Sequence, residues 1–224
     1  MPVVVIAGTI LYYRKKGWTF KNIKQKLNAF IMIQFMTRMN KHKKILSCKE
    51  KLFANLSTQV PSYKRLVILE IGVGGGSNFS FYPPRSRVVC LDPNPNFEAY
   101  IKENVQRSGV EVKRFIQGFA EDLGEIEDCS VDTVVCTYVL CSVRDTEKVL
   151  EEIRRVLKPN GTFYFIEHVG DKRGTFLNRI QRLLNPVWYF ATGECQLMKE
   201  TGRDIDRAGF SSTSLNYFYL NRSC

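Results

Sequence analysis

The sequence predicts an α/β domain on a doubly wound, mainly parallel sheet, preceded by a helical appendage. Three observations point there. From Leu66 onward, short apolar segments alternate with amphipathic helical ones. The first apolar segment, VILEI, runs straight into a loop with glycines at Gly72, Gly74 and Gly76. Asp92 closes the second apolar segment, 20 residues after Gly72. In open parallel sheets, ligands bind beyond the carboxyl ends of the strands, where strand order reverses.

Residues 1–20 read as a short apolar and basic membrane anchor. VVVIAGTILYY is an eleven-residue apolar run followed by Arg14, Lys15 and Lys16. Crossing a bilayer takes about 20 apolar residues. A signal peptide carries its charge before the apolar run, not after it. Residues 21–60 read as a basic helical lead-in. A helix over 21–37 gathers Ile23, Leu27, Phe30, Ile31, Gln34 and Phe35 on one side, to pack either on the domain or on a membrane surface. A second helix is expected at 48–56.

Residues 61–224 form the domain. After strand one come a strand at 88–91, a helix at 97–108, a strand at 110–116 and a strand at 131–137. An amphipathic helix at 145–157 closes on Lys158-Pro159-Asn160-Gly161, and TFYFIE at 162–167 is strand five. Residues 172–209 read as largely helical, and 214–220 as a sixth strand.

The formal charge of +11 is uneven. Residues 1–65 hold 14 Lys/Arg and one acid, whereas the remaining 19 Lys/Arg face 21 acids. The cationic end fits an anionic membrane surface, and the near-neutral body gives no basic face for nucleic acid. Seven cysteines, an odd count without C-x-x-C spacing, fit a reduced, cytosol-facing compartment and no metal site.

Which cofactor the loop holds turns on charge and spacing. A dinucleotide fingerprint is G-x-G-x-x-G with a pyrophosphate on the helix N-terminus. Here the spacing is G-x-G-x-G, and Glu70 stands two residues before Gly72. A carboxylate there repels a pyrophosphate and suits the cationic amino group of a methionine moiety. Gly72 permits the tight turn, and Gly74 and Gly76 let a ligand approach the backbone. Asp92 is placed to accept hydrogen bonds from both ribose hydroxyls. These features favour S-adenosylmethionine.

The segments Glu70–Gly76, Asp92, GFAEDL at 118–123, VDTVVCTYVL and VLKPNGTFYFIEH resemble the successive motifs of class I S-adenosylmethionine-dependent methyltransferases. FYPPRSRVVCLDPNPNF, VDTVVCTYVLCSV, FYFIEHV, KEKLFANL and LLNPVW are similar to the membrane-associated methyltransferase-like family that methylates small alkyl thiols. The resemblance implies a Rossmann-like fold. It implies that Glu70, Gly72, Gly74 and Gly76 cradle the methionine part, that Asp92 binds the ribose, and that Pro93 and Asn94 shape the adenine side. Phe119 fills the place where many class I enzymes carry an acid, leaving the Ala120 amide and Glu121 to read the adenine edge. It further implies action at the cytosolic face of the endoplasmic reticulum or on lipid droplets. Class I sheets end in a hairpin whose seventh strand lies beside strand five. This sequence stops at Cys224, so either the fold closes differently or the sheet lacks that strand.

Methyl transfer from a sulfonium is an in-line displacement that chiefly requires alignment and exclusion of water. A thiol acceptor, with a pKa of about 8.5, needs only deprotonation. Thr137, Tyr138 and Cys141 follow strand four, and Glu167 and His168 end strand five. His168 is the candidate base and Thr137 a second catalytic candidate that also borders the cofactor; Cys141 reads as packing. Phe79, Phe81, Tyr82, Trp188 and Tyr189 either wall an acceptor pocket or fill the core. The expected activity is methyl transfer to a small-molecule thiol at a membrane. The alternatives are a hydroxyl, amine or lipid acceptor, or an inactive membrane or lipid-droplet protein.

Overall fold

The computed structural model of the chain describes residues 19–192 and 195–220. The apolar run at 3–13 and the basic triplet after it lie outside the described residues. Among the described residues, no helix is long and apolar enough to cross a membrane.

Five parallel strands form one sheet: β1 (Val67–Ile71), β2 (Arg87–Leu91), β3 (Glu111–Ile116), β4 (Val131–Thr137) and β5 (Leu157–Ile166). Their order is β3-β2-β1-β4-β5. The chain steps outward from β1 to β3 and then returns to the other side of β1. The reversal lies between β1 and β4, where a crevice opens beyond the strand ends.

Successive side chains of a strand point to opposite faces, so each central strand feeds two cores. Leu69 and Val134 enter a core covered by α4 (Thr146–Val156) through Val149, Leu150 and Ile153. Ile68 and Val135 enter the other, covered by Phe53 of α2 (Lys43–Phe53) and by Leu56. Asp145 caps α4, its carboxylate accepting from the Lys148 N–H at 3.1 Å. Helix α3 (Glu98–Ser108) ends on left-handed Gly109 and leads into β3. Phe79 and Tyr82 are buried in the second core, which settles them as packing rather than as a pocket wall.

For the lead-in, the structure bears on the two packings left open by the sequence. Helix α1 (Phe20–Asn40) forms, and its Thr19 side chain caps it by accepting from the Asn22 N–H. Yet its apolar side does not pack on the domain: Leu27 is 57% and Phe30 54% exposed, and Ile23 and Ile31 are exposed too. At 100° per residue, Gln25, Ala29 and Ile33 lie on the opposite side. That narrow side meets the body. Ala29 is buried, and Ile33 presses so close to Gly75 that a Cβ there would strike it. The contact is made by Ala29 and Ile33 against the bare backbone of Gly75, not by the broader apolar side.

Two further differences concern the C-terminal third. Strand β5 begins at Leu157, directly after α4, and not at Thr162. Val131 pairs with Leu157 and Thr133 with Thr162, so residues 158–161 bulge out of the ladder. The expected helical stretch at 172–209 resolves into α5 (Phe176–Thr192) and α6 (Thr201–Arg207). The sixth strand expected at 214–220 is absent: those described residues pair with no strand. Tyr217 and Leu215 pack instead against Gly202 of α6, and the Tyr219 hydroxyl donates to Asp171.

Candidate active site

The loop after β1 folds back over the end of β2. The Gly72 N–H donates to the Leu91 carbonyl at 2.8 Å. Gly74 has φ +50°, a left-handed conformation that side chains rarely adopt, and a Cβ on it would meet nothing within 4 Å. This open flank is where a ligand can reach the backbone. Gly76 lies against the Phe79 ring.

Asp92 points at the same place. Its carboxylate accepts from the Gly74 N–H at 3.1 Å and the Asn94 N–H at 2.9 Å. It is almost wholly buried. Burial pushes its pKa up to about 6, against the pull of those two hydrogen bonds. Pro93 is exposed and Asn94 buried; the Asn94 amide donates to the Gln25 carbonyl of α1 at 2.9 Å. The helix therefore touches both Gly75 and the aspartate turn.

Glu70 sits deeper, at the centre of a buried polar network. Tyr82 donates to one carboxylate oxygen at 2.8 Å and the Asn78 amide to the other at 2.9 Å. The same amide nitrogen donates to the Thr137 hydroxyl at 3.0 Å. The Lys49 ammonium, wholly buried, donates to Asn78 at 2.8 Å and to Asn40 at 2.7 Å. Burial raises Glu70 to about 7, opposed by Tyr82, Asn78 and the Lys49 charge. Burial lowers Lys49 to about 8, opposed by Glu70. Glu70, Thr137, the glycine loop and Asp92 thus converge at the strand-order reversal. They fit S-adenosylmethionine: buried carboxylates for a cation and for hydroxyl donors, beside backbone left bare at Gly74.

The remaining predicted residues lie further out. Ala120 is buried just after β3. Glu121 is engaged elsewhere, accepting from the Arg144 N–H at 2.8 Å. The exposed Phe119 ring stacks beneath the Arg144 guanidinium, 5.6 Å from its centroid.

On the β4–β5 side, Glu167 organises the backbone. Its carboxylate accepts from the N–H groups of Val139, Leu140 and Cys141 at 2.9, 3.0 and 3.3 Å. Burial raises it to about 7 despite those donors. His168 meets Cys195, with 3.1 Å between Nε2 and the sulfur. Cys141 Sγ is 3.4 Å from the same sulfur, and the Trp188 indole N–H donates to it at 3.3 Å. Burial alone would lower the His168 pKa, but the Cys195 hydrogen bond and the Cys195 and Glu167 charges hold it above its ordinary value. Cys195 is held well below the ordinary thiol range by Cys141, His168 and Trp188, against its burial.

Sequence reasoning missed Lys49, the Asn78 bridge and Cys195. Lys49 carried a signal: Ile45, Lys49 and Phe53 recur every four residues, so the lysine interrupts an apolar stripe. Cys141, His168 and Cys195 are 27 residues apart in turn and share no spacing motif.

The chain matches the methyltransferase domain family over residues 69–165. It is 41% identical to the thiol S-methyltransferase TMT1B of Rattus norvegicus, over 79% of this chain and 72% of that one. It is 40% identical to the human thiol S-methyltransferase TMT1A, over 84% of this chain and 77% of that one. Among solved structures, the YcgJ protein of Bacillus subtilis superposes with a TM-score of 0.53 at 22% identity, covering 70% of this chain and 66% of that one.

Proposed function

The chain belongs to the thiol S-methyltransferase family of S-adenosylmethionine-dependent methyltransferases, and from that premise we propose that it methylates a small-molecule thiol at a membrane surface. When bound, S-adenosylmethionine supplies a methyl group already activated on a sulfonium. Asp92 holds the ribose hydroxyls, with Pro93, Asn94 and the Ala120 backbone on the adenine side; Glu121, taken by the Arg144 N–H, is left out of this assignment. Gly72, Gly74 and Gly76 accept the methionine part, and Glu70 presents negative charge to its ammonium. Thr137, fixed by Asn78, borders the methionine part from the end of β4.

His168 is the residue we assign to the acceptor. It sits at the end of β5, half-buried, with a pKa above its usual value. In this reading its neutral form takes the proton of an incoming thiol near neutral pH. The observation that carries the thiol reading is this imidazole on the acceptor side of a chain about 40% identical to named thiol methyltransferases.

The membrane reading rests on the exposed apolar side chains of α1 and α5. Ile23, Leu27, Phe30 and Ile31 on α1, and Leu183, Leu184 and Val187 on α5, face outward. Phe35 and Trp188 join the two helices edge to face at 5.9 Å. The cationic segment 1–65 favours an anionic cytosolic leaflet, of the endoplasmic reticulum or a lipid droplet.

One experiment addresses both points. Isotope-labelled S-adenosylmethionine is offered with a panel of alkyl thiols, alcohols, amines and quinols, with and without anionic vesicles. Turnover confined to thiols, with the protein co-sedimenting with vesicles, is expected. Turnover on another class removes the thiol assignment. Loss of sedimentation in Leu27→Ser/Phe30→Ser, with turnover on a water-soluble thiol retained, is expected; unchanged sedimentation moves the docking face elsewhere.

A further inference from the structure

The contact among Cys141, His168 and Cys195 contains more than an acceptor base needs. Two sulfurs stand 3.4 Å apart, both nearly inaccessible, with one facing an imidazole nitrogen and an indole N–H. The two cysteine-bearing segments are also locked together. The Gln196 N–H donates to the Cys141 carbonyl at 2.9 Å. Glu167 accepts from the Cys141 N–H, and Lys199 donates to the Leu140 and Val143 carbonyls at 2.8 and 2.6 Å. The thiols are thus held in register by backbone on both sides. A disulfide needs its sulfurs at about 2.05 Å, so a closure of about 1.4 Å through side-chain rotation would join them.

We propose that Cys141 and Cys195 form a redox-active dithiol, which a hydroperoxide converts to a disulfide and which thiols restore. Cys195 is the attacking sulfur, because the Trp188 N–H donates to it and His168 Nε2 stands 3.1 Å away, placed to donate when protonated. Its thiolate attacks one peroxide oxygen: an S–O bond forms and the O–O bond breaks. The departing oxygen takes a proton from His168, leaving as water or, from an alkyl hydroperoxide, as the alcohol. The Cys141 sulfur then attacks the Cys195 sulfenic acid. The S–S bond forms, the S–O bond breaks, and the oxygen leaves as water with the Cys141 proton. The peroxide gains two electrons and the thiol pair loses two. The lowered pKa of Cys195 supports this order, since the thiolate is the reactive form. The short reach to Cys141 favours the disulfide over further oxidation.

The consequence is local. A disulfide takes Cys195 away from His168 and removes the negative partner that holds the imidazole. This site does not depend on which acceptor the enzyme methylates.

The test uses the full chain, reduced and then treated with hydrogen peroxide. Non-reducing peptide mapping should find Cys141 linked to Cys195, a linkage that dithiothreitol reverses. Cys141→Ser should instead leave a sulfenic acid at Cys195 that dimedone traps. Alkylation of Cys195 by iodoacetamide should be nearly as fast at pH 6 as at pH 8, because its sulfur is already a thiolate at both. Oxidation of Cys129 before any Cys141–Cys195 linkage overturns the proposal, as does a Cys195 alkylation rate that falls steeply between pH 8 and pH 6. So does a metal ion found stoichiometrically on the three side chains, whose ligand atoms lie within 4.8 Å of one another.

Discussion

The two halves of the crevice are built by different means. The cofactor half, around β1 and β2, draws on Glu70, the glycine loop, Asn78 and Asp92, all within 23 residues of chain. Asn78 reaches Glu70 and Asp92 reaches Gly74 within that stretch, while Thr137, Lys49 and Gln25 brace it from outside. The acceptor half, around β4 and β5, draws Cys141, His168 and Cys195 from three distant segments and holds them with Glu167 and Lys199. A short, stiff loop suffices to grip an invariable cofactor. An acceptor pocket assembled from separate segments can be remodelled one segment at a time.

Variants that strike one half and spare the other break or sharpen this contrast. Asp92→Ala should have the largest effect. Losing charge-assisted hydrogen bonds to two hydroxyls costs about 3–6 kcal/mol, or roughly 10²–10⁴ in affinity for S-adenosylmethionine. Calorimetry with unchanged far-ultraviolet circular dichroism would show it. Normal affinity would remove Asp92 from the ribose.

His168→Asn should leave cofactor affinity unaltered and lower kcat by ~10²-fold or more, as loss of a general base does. The deficit should shrink with acceptors of lower thiol pKa, which need less help. A loss of cofactor affinity of the same size would mean that the two halves are not separable.

The smallest effect concerns pH. The pKa values of Glu70 and Asp92 are raised, to about 7 and about 6, so the empty fold favours their protonated forms. Their contribution to stability is full below the ordinary carboxylate pKa and is lost as pH rises through about 6 to 7. A cationic ligand with hydroxyl donors favours the ionised forms. The rise in Tm caused by S-adenosylmethionine should therefore be larger at pH 8 than at pH 5.5, by scanning fluorimetry. An equal or opposite trend would mean that neither carboxylate faces the ligand.

The same contrast explains what the sequence disclosed. VILEI, the glycine spacing and Asp92 are local signals, and each lies where the pattern put it. Val131–Thr137 was legible because a buried central strand is almost continuously apolar. The start of β5 was not, because Pro159 and Asn160-Gly161 read as punctuation although the ladder merely bulges around them. The 214–220 stretch has strand-forming residues, but strand propensity needs a pairing edge, and its aromatic side chains are engaged by α6 and Asp171. The Cys141–His168–Cys195 contact is long-range, and only the folded backbone reveals it. For α1, hydrophobic periodicity identified the helix and one face, but Ala29 and Ile33, meeting the bare Gly75, form the side that docks.

That docking choice leaves the glycine loop separated from the surroundings by a single helix. Ile33 rests on Gly75 while Leu27 and Phe30 look outward, so the intervening layer is about 10 Å deep. Whatever medium bathes the outer side of α1 lies within one helix width of the glycine loop, so a change in that medium has only one helix to act through.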